Sequence, residues 1–204
     1  MAYYPHVDTT TVILAVLLGL GLSASTGLNT FLPLLLLSAA ARFHVAGIAL
    51  GQKFDWLSSD VALLVLGIAV VLEVIGDKIP AVDHFLDVVG TFARPIAATV
   101  ATTSVLTGAH VHPAMAAVAG LMIGAPTSLG LHSLKAGTRV ASSAATFGCA
   151  NPVISTIEDV ISLGLSVLSI FAPIVVPIAL ALLVWLLWLV VKRIRRRDAA
   201  AAMP

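Results

Sequence analysis

The sequence predicts an all-α bundle of membrane-spanning helices, and three observations carry that prediction. Of the 204 residues, 59% are hydrophobic and only 10% are charged, where a soluble domain carries about 25% charged residues. The mean hydropathy is +1.07, too high for a buried soluble core alone, so lipid must be the solvent for much of the surface. The apolar residues come in long runs separated by short polar breaks, seven in all by the reading below, together with one interfacial helix. The length suits a single transmembrane domain, residues 1–204, with a helical bundle over 9–191 and a basic tail over 192–204. A formal net charge of +1 argues against a nucleic-acid partner.

The N-terminal ten residues contain no Lys or Arg, so no cleaved signal peptide is expected before the first apolar run. That run, Thr9 to Gly27, places Ala15, Gly19, Ser23 and Gly27 four residues apart, a stripe on which another helix backbone can pack closely. Ser23 to Asn29 is a small, polar break. It reads either as a ligand-facing elbow within the bundle or as a tight interhelical turn. The next run, Leu28 to Ala41, is short for a hydrocarbon core of about 30 Å. Either it starts inside the break, or the first two runs form a re-entrant pair.

After a mixed loop, Asp60 is the expected N-cap of a third span, Val61 to Ile75, which Gly76 ends. Pro80 to Gly90 reads as a separate amphipathic helix in the interface plane, with Val82, Phe85, Leu86 and Val89 on one face and Asp83, His84 and Asp87 on the other. A fourth span follows over Thr91 to Gly108. The fifth, Ala114 to Lys135, repeats the small-residue stripe at Ala116, Gly120, Gly124 and Ser128, which hints at a duplicated unit. Residues 136–150 read as a loop. Asn151-Pro152 reads as a helix start, Asn as cap and Pro in the first turn. The sixth span then carries Ser155, Asp159, Ser162, Ser166 and Ser169 along one face with Glu158 beside them. The seventh, Ile178 to Val191, ends in a tail with Lys192, Arg193, Arg195, Arg196 and Arg197. That tail sets a cytoplasmic C-terminus and meets anionic headgroups. It puts Lys78, Lys135 and Arg139 on the same side.

Chemistry is expected where charge enters an apolar span, since a charged residue at a helix centre costs about 2.5–3.5 kcal/mol on insertion scales. Glu73, Arg94, Glu158 and Asp159 meet that condition and define a candidate central polar site. Ser23, Thr26 and Asn29 join it from the helix break, and Asn151 from the start of the sixth span. Charge neutralisation suggests that Arg94 pairs with Glu158 or Asp159. The serine row beyond Asp159 reads as a hydrated path or as a helix seam, and the path is preferred. Glu73 and Asp77 share a helix face if the helix is continuous, and their repulsion must be offset. Asp77 and Asp87 are assigned to gating or attracting cations, against a plainer reading of Asp77, Lys78, Asp83 and Asp87 as a solvated loop. No metal site is assigned. Acidic oxygen ligands suit a divalent metal, but neither they nor His84, His110, His112 and His132 stand at a metal-motif spacing. Cys149 is the only cysteine, which excludes an intrachain disulfide.

Three blocks, GLSASTGLNTFLPLLLLS, EVIGDKIPAVDHFLDVVGTFARP and KAGTRVASSAATFGCANPVISTIEDVISL, resemble the bacterial membrane family known as domain of unknown function 4126. The resemblance covers almost the whole chain. It implies a small integral protein of the bacterial inner membrane and brings no activity or site residue. Three functions stay open. The first is a transporter or channel-like protein for a small solute or ion. The second is a lipid-headgroup enzyme using carboxylates with a divalent metal, and the residues lean against an enzyme. The third is a membrane scaffold, and the stripes also suit a homo-oligomer.

Overall fold

The computed structural model describes residues 8–146 and 149–201, and the described residues are helices joined by short turns. Helix α1 is Thr9–Leu28 and α2 is Leu32–Arg42. Two 3₁₀ turns, Val45–Gly47 and Gln52–Ser58, lead to α3, Asp60–Gly76. Helix α4 is Pro80–Gly108, α5 is Pro113–Ala119, and a π-helical segment, Gly120–Gly124, passes directly into α6, Ala125–Thr146. Helix α7 is Asn151–Phe171 and α8 is Val176–Ala201.

By length and apolarity four segments can cross a bilayer alone: Thr9–Leu28, Val82–Gly108, Pro113–Val140 and Asn151–Phe171. Gln52–Ser58 and Asp60–Gly76, bent by 61°, make a fifth if taken as one span, and α2 and Pro173–Leu186 are shorter apolar helices. The surface has the polarity of a protein dissolved in lipid. Helix α3 turns Val61, Leu64, Val65, Ile68, Val71, Leu72 and Ile75 outward while Glu73 is buried. Trp56, Trp185 and Trp188 are also exposed.

Helices α1 and α4 form the centre. The α1 stripe does what its spacing promises. A Cβ on Gly19 would come within 2.7 Å of Thr102, and one on Gly27 within 2.5 Å of the Ser128 carbonyl oxygen. The second stripe packs likewise, a Cβ on Gly124 falling 2.8 Å from the Ala98 carbonyl oxygen. Both stripes are filled by helices of the same chain, so a homo-oligomer would need a different face.

Several boundaries differ from the sequence reading. Pro80–Gly90 is the first third of α4, not a separate helix: Gly90 stays helical, and Arg94 lies 2.9 Å from where its Cβ would be. Pro95 sits inside the same helix. Residues 136–146, expected as loop, continue α6, because their Ala content offsets the Gly, Ser and Thr among them. Pro126 cannot donate to the carbonyl four residues back, and the wider π register lies just ahead of it. Ser59, not Asp60, caps α3 by accepting from the Ala62 amide, while Asp60 pairs with Arg42 at 3.0 Å. Asn151 is inside α7 rather than its cap. Lys192 lies over the Trp188 ring at 4.4 Å. The side chains of the remaining tail arginines, Arg193 to Arg197, lie outside the described residues.

Candidate functional site

The site is built on a broken helix. The chain leaves α1 at Leu28 and enters α2 at Leu32, so the three residues between must find hydrogen-bond partners outside a helix. Side chains supply them on both sides of the gap. At the α1 end, the Gly27 carbonyl accepts from Arg94 Nη1 at 3.0 Å and the Leu28 carbonyl from Lys135 Nζ at 3.0 Å. At the α2 end, the Glu73 carboxylate accepts from the Thr30 amide at 2.8 Å, the Phe31 amide at 3.2 Å and the Thr30 hydroxyl at 2.8 Å. Asn29 accepts from the Leu32 amide at 3.0 Å and donates to Asp159 Oδ1 at 2.9 Å. Cations therefore meet the negative end of one helix dipole and an anion meets the positive end of the other. Irregular backbone inside a bundle is tolerated only when it is covered in this way.

From the break the charges spread into one network. Arg94 is fully buried, 3.6 Å from Glu73 and 3.9 Å from Asp87. Lys135 Nζ is 2.9 Å from Asp77 and 3.6 Å from Glu158. Arg139 is the hub: it contacts Asp83, reaches Asp77 at 3.2 Å and Glu158 at 3.0 Å, and lies 3.6 Å from Asp87. At the rim, Lys78 reaches Asp159 at 3.4 Å and the Ser155 hydroxyl at 3.3 Å. His132 Nδ1 faces Arg94 Nη1, and its Nε2 lies 3.2 Å from the Thr91 hydroxyl. Arginine has no acceptor, so Nδ1 must accept. The Thr91 hydroxyl donates to the Asp87 carbonyl at 3.0 Å, which leaves its lone pairs for an Nε2 proton. The tautomer assigned from this network is a neutral imidazole protonated on Nε2.

The placement of the sequence candidates is mixed. Glu73, Arg94, Glu158, Asp159 and Asn29 do converge, and Asp77 and Asp87 join them, Asp77 fully enclosed rather than in a solvated loop. The expected pairing does not form. Arg94 lies against Glu73 and Asp87, while Glu158 goes to Lys135 and Arg139, and Asp159 to Lys78. Arg94 reaches the end of α1 at the Gly27 carbonyl, Glu158 faces the cations of α6, and Asp159 turns to Asn29 and Lys78. Ser23 and Thr26 are buried away from the charges. The Ser23 hydroxyl is 2.8 Å from that of Thr102, and Thr26 bonds back to the Leu22 carbonyl at 2.7 Å. Asn151 bonds to Ser143 at 3.0 Å, outside the network. The serines of the α7 row are buried, Ser155 facing Lys78 at 3.3 Å and Ser166 Oγ without a partner among the described residues. Ser162 donates to the Ser25 carbonyl at 3.0 Å and Ser169 to the Leu165 carbonyl at 2.6 Å.

Lys78, Asp83, Thr30, His132, Lys135 and Arg139 belong to the site and were not among its candidates. For Asp83, His132, Lys135 and Arg139 the signal was spacing. His132, Lys135 and Arg139 fall at i, i+3 and i+7, and Asp83, Asp87 and Arg94 at i, i+4 and i+11, each set one helical face. It stays hidden when residues 136–150 are read as loop and Gly90 as a stop. Among the described residues, no group of three or more His, Cys, Asp or Glu is arranged to hold a metal ion. The acids here turn to lysine and arginine instead.

An apolar exterior around a buried ionic network at a broken helix defines the class: a polytopic α-helical membrane protein with a polar interior. Within that class the chain belongs to the family described as domain of unknown function (DUF4126), whose model matches residues 16–193. No curated protein and no solved structure matches the chain.

Proposed function

We propose that this protein is a small-solute or ion transporter of the bacterial inner membrane whose working site is the network at the α1–α2 break, with the C-terminus on the cytoplasmic side. One observation carries the reading. Setting aside the Lys78–Asp159 pair at the rim, five carboxylates, Glu73, Asp77, Asp83, Asp87 and Glu158, face three cations, Arg94, Lys135 and Arg139, an excess of two acids. A network meant only to hold helices together is best neutral, because uncompensated charge away from water costs several kcal/mol. An excess of acid calls for mobile positive charge, protons or cations, and intramembrane ionisable residues of this kind mark ion pathways. Broken helices at the substrate site are a recurrent feature of transporter folds.

A scaffold is the second reading, favoured by the fact that each of the ten charged groups of the network has an opposite charge within 4 Å. Proteoliposomes separate the two. Vesicles loaded with a pH-sensitive dye and given proton, sodium or potassium gradients report flux by the wild type and by Glu158→Gln/Asp159→Asn. Transport requires wild-type flux above that of empty vesicles and its loss in the double variant. Wild-type vesicles as tight as empty ones support the scaffold.

A further inference from the structure

The excess of acid raises the question of where the missing positive charge sits, and the hydrogen bonds rank the candidates. Glu73 accepts four, from the Thr30 amide at 2.8 and 3.0 Å, the Thr30 hydroxyl at 2.8 Å and the Phe31 amide at 3.2 Å, so both its oxygens already act as acceptors. Asp159 has a donor on each oxygen, Asn29 and Lys78. Glu158 and Asp83 each accept from Arg139, and Asp77 accepts from both Lys135 and Arg139 through Oδ2. Among the described residues, Asp87 alone of the five acids of the core receives no side-chain or backbone hydrogen bond on its carboxylate. It has only two long ionic contacts, 3.9 Å to Arg94 and 3.6 Å to Arg139. Its Oδ1 is buried with no partner, as is Oδ1 of Asp77, which is 97% enclosed and lies on the same Arg139 guanidinium. The Asp87 side chain is also 21% exposed, so water reaches it while the core acids stay covered.

We propose that Asp87 is the proton-binding group of the network, taking up a proton from the aqueous side and releasing it to return the site to its acid-rich form. In the step, a hydronium ion gives its proton to a carboxylate oxygen of Asp87 and leaves as water. The new O–H is a donor where none existed, and the unpartnered Asp77 Oδ1 is the acceptor of the right kind beside the same guanidinium. Neutral Asp87 then pulls less on Arg94 and Arg139. Because Arg94 also holds the Gly27 carbonyl, the proton is linked to the end of α1. The groups that set this equilibrium come from every side. Asp83, His84 and Arg94 lie on α4, Lys135, Arg139 and neutral His132 on α6, Asp77 at the end of α3, and Glu73 and Glu158 lie across the two arginines. A metal ion is the lesser alternative, since the acids are already committed to lysine and arginine.

The role in transport rests on the preceding proposal, but the proton itself is measured without flux. Infrared difference spectra of purified wild-type protein, between acidic and neutral buffer, should contain a protonated-carboxyl band that titrates. That band should vanish in Asp87→Asn and persist in Asp83→Asn. Should Asp87→Asn fail to fold, Asp87→Glu is expected to keep a band at a shifted frequency and midpoint. A band unchanged in Asp87→Asn, or unmoved in Asp87→Glu, overturns the assignment, as does a wild type with no titrating band. A titrating Asp87 in a protein that moves no ion would sink the transporter and leave the proton site. Flux without an Asp87 band would do the reverse.

Discussion

At the scale of single residues, three of the buried charges, Glu73, Arg94 and Lys135, are tied to backbone left open by the helix break. Arg94 illustrates this. It donates to the Gly27 carbonyl, lies against Glu73 and Asp87, and meets His132, with no exposure to solvent. Arg94→Ala takes the buried cation away from Glu73, and breaking such a buried pair costs about 3–5 kcal/mol. The variant should melt well below wild type in a detergent thermal assay. Arg94→Lys should recover part of the loss, because it restores charge but not the fork. Equal melting of wild type and Arg94→Ala would show that the guanidinium is not holding the break. Glu73→Gln should be milder than Glu73→Ala, since an amide oxygen still accepts from the Thr30 and Phe31 amides, and the same assay ranks the two.

At the scale of elements, α1 and α2 act as two half-elements joined by side chains of α3, α4, α6 and α7. Their closeness depends on the missing Cβ atoms. Gly27→Val would drive a side chain into the Ser128 carbonyl at 2.5 Å and Leu131 at 2.6 Å. The α1–α6 contact must then open, and Lys135 must leave the Leu28 carbonyl. Overpacking of this kind costs about 1–3 kcal/mol or more. Gly130→Ala, on the same helix as Ser128 but with open space around it, should be tolerated. The matched pair is read by folded yield and melting temperature, and similar losses in both would contradict the packing argument.

What the sequence made legible follows the same division. Apolar runs and small-residue stripes are set by local composition, so the helices and the α1 and Gly120–Gly124 contact faces were readable. So was the suspicion that Glu73, Arg94, Glu158 and Asp159 are withdrawn from water. Which charge meets which was not readable, because pairing depends on helix order and rotation. Continuity was the second loss. Gly90, Pro95 and the Ala-Ser-Thr stretch of residues 136–146 carry weak or adverse helix propensity, yet packing and their neighbours keep them helical. Missing that continuity hid that Arg94 extends the face of Asp83 and Asp87, and that Arg139 shares a face with His132 and Lys135. Asn151 shows the opposite error, a strong local cap signal placed in the wrong register.

At the scale of the whole molecule, the ends of α1, α3 and α6 and the starts of α4 and α7 gather on the network, and α8 runs toward the same end. Ala179, Leu180 and Leu183 of α8 pack on the cluster of Ala24, Leu28, Leu131 and Leu165. The opposite end is closed by Ala15, Leu106, Ala109 and Ala116. Cys149, exposed before α7, should therefore share a membrane face with the C-terminal tail, and Asp55 should lie on the other. Impermeant thiol labelling checks this with the native cysteine and with Asp55→Cys in a Cys149→Ser background. Labelling of both from one face would refute the proposed topology.

The central claim is that the acid-rich network at the helix break is there to move charge rather than only to hold helices. Asp87→Asn separates those roles, because it removes one excess negative charge with little change of shape. Its melting temperature should equal or exceed that of wild type. The decisive measurement is ion flux through proteoliposomes carrying this folded variant. The account predicts that wild type conducts and Asp87→Asn does not, and undiminished flux in a fully folded Asp87→Asn would contradict it.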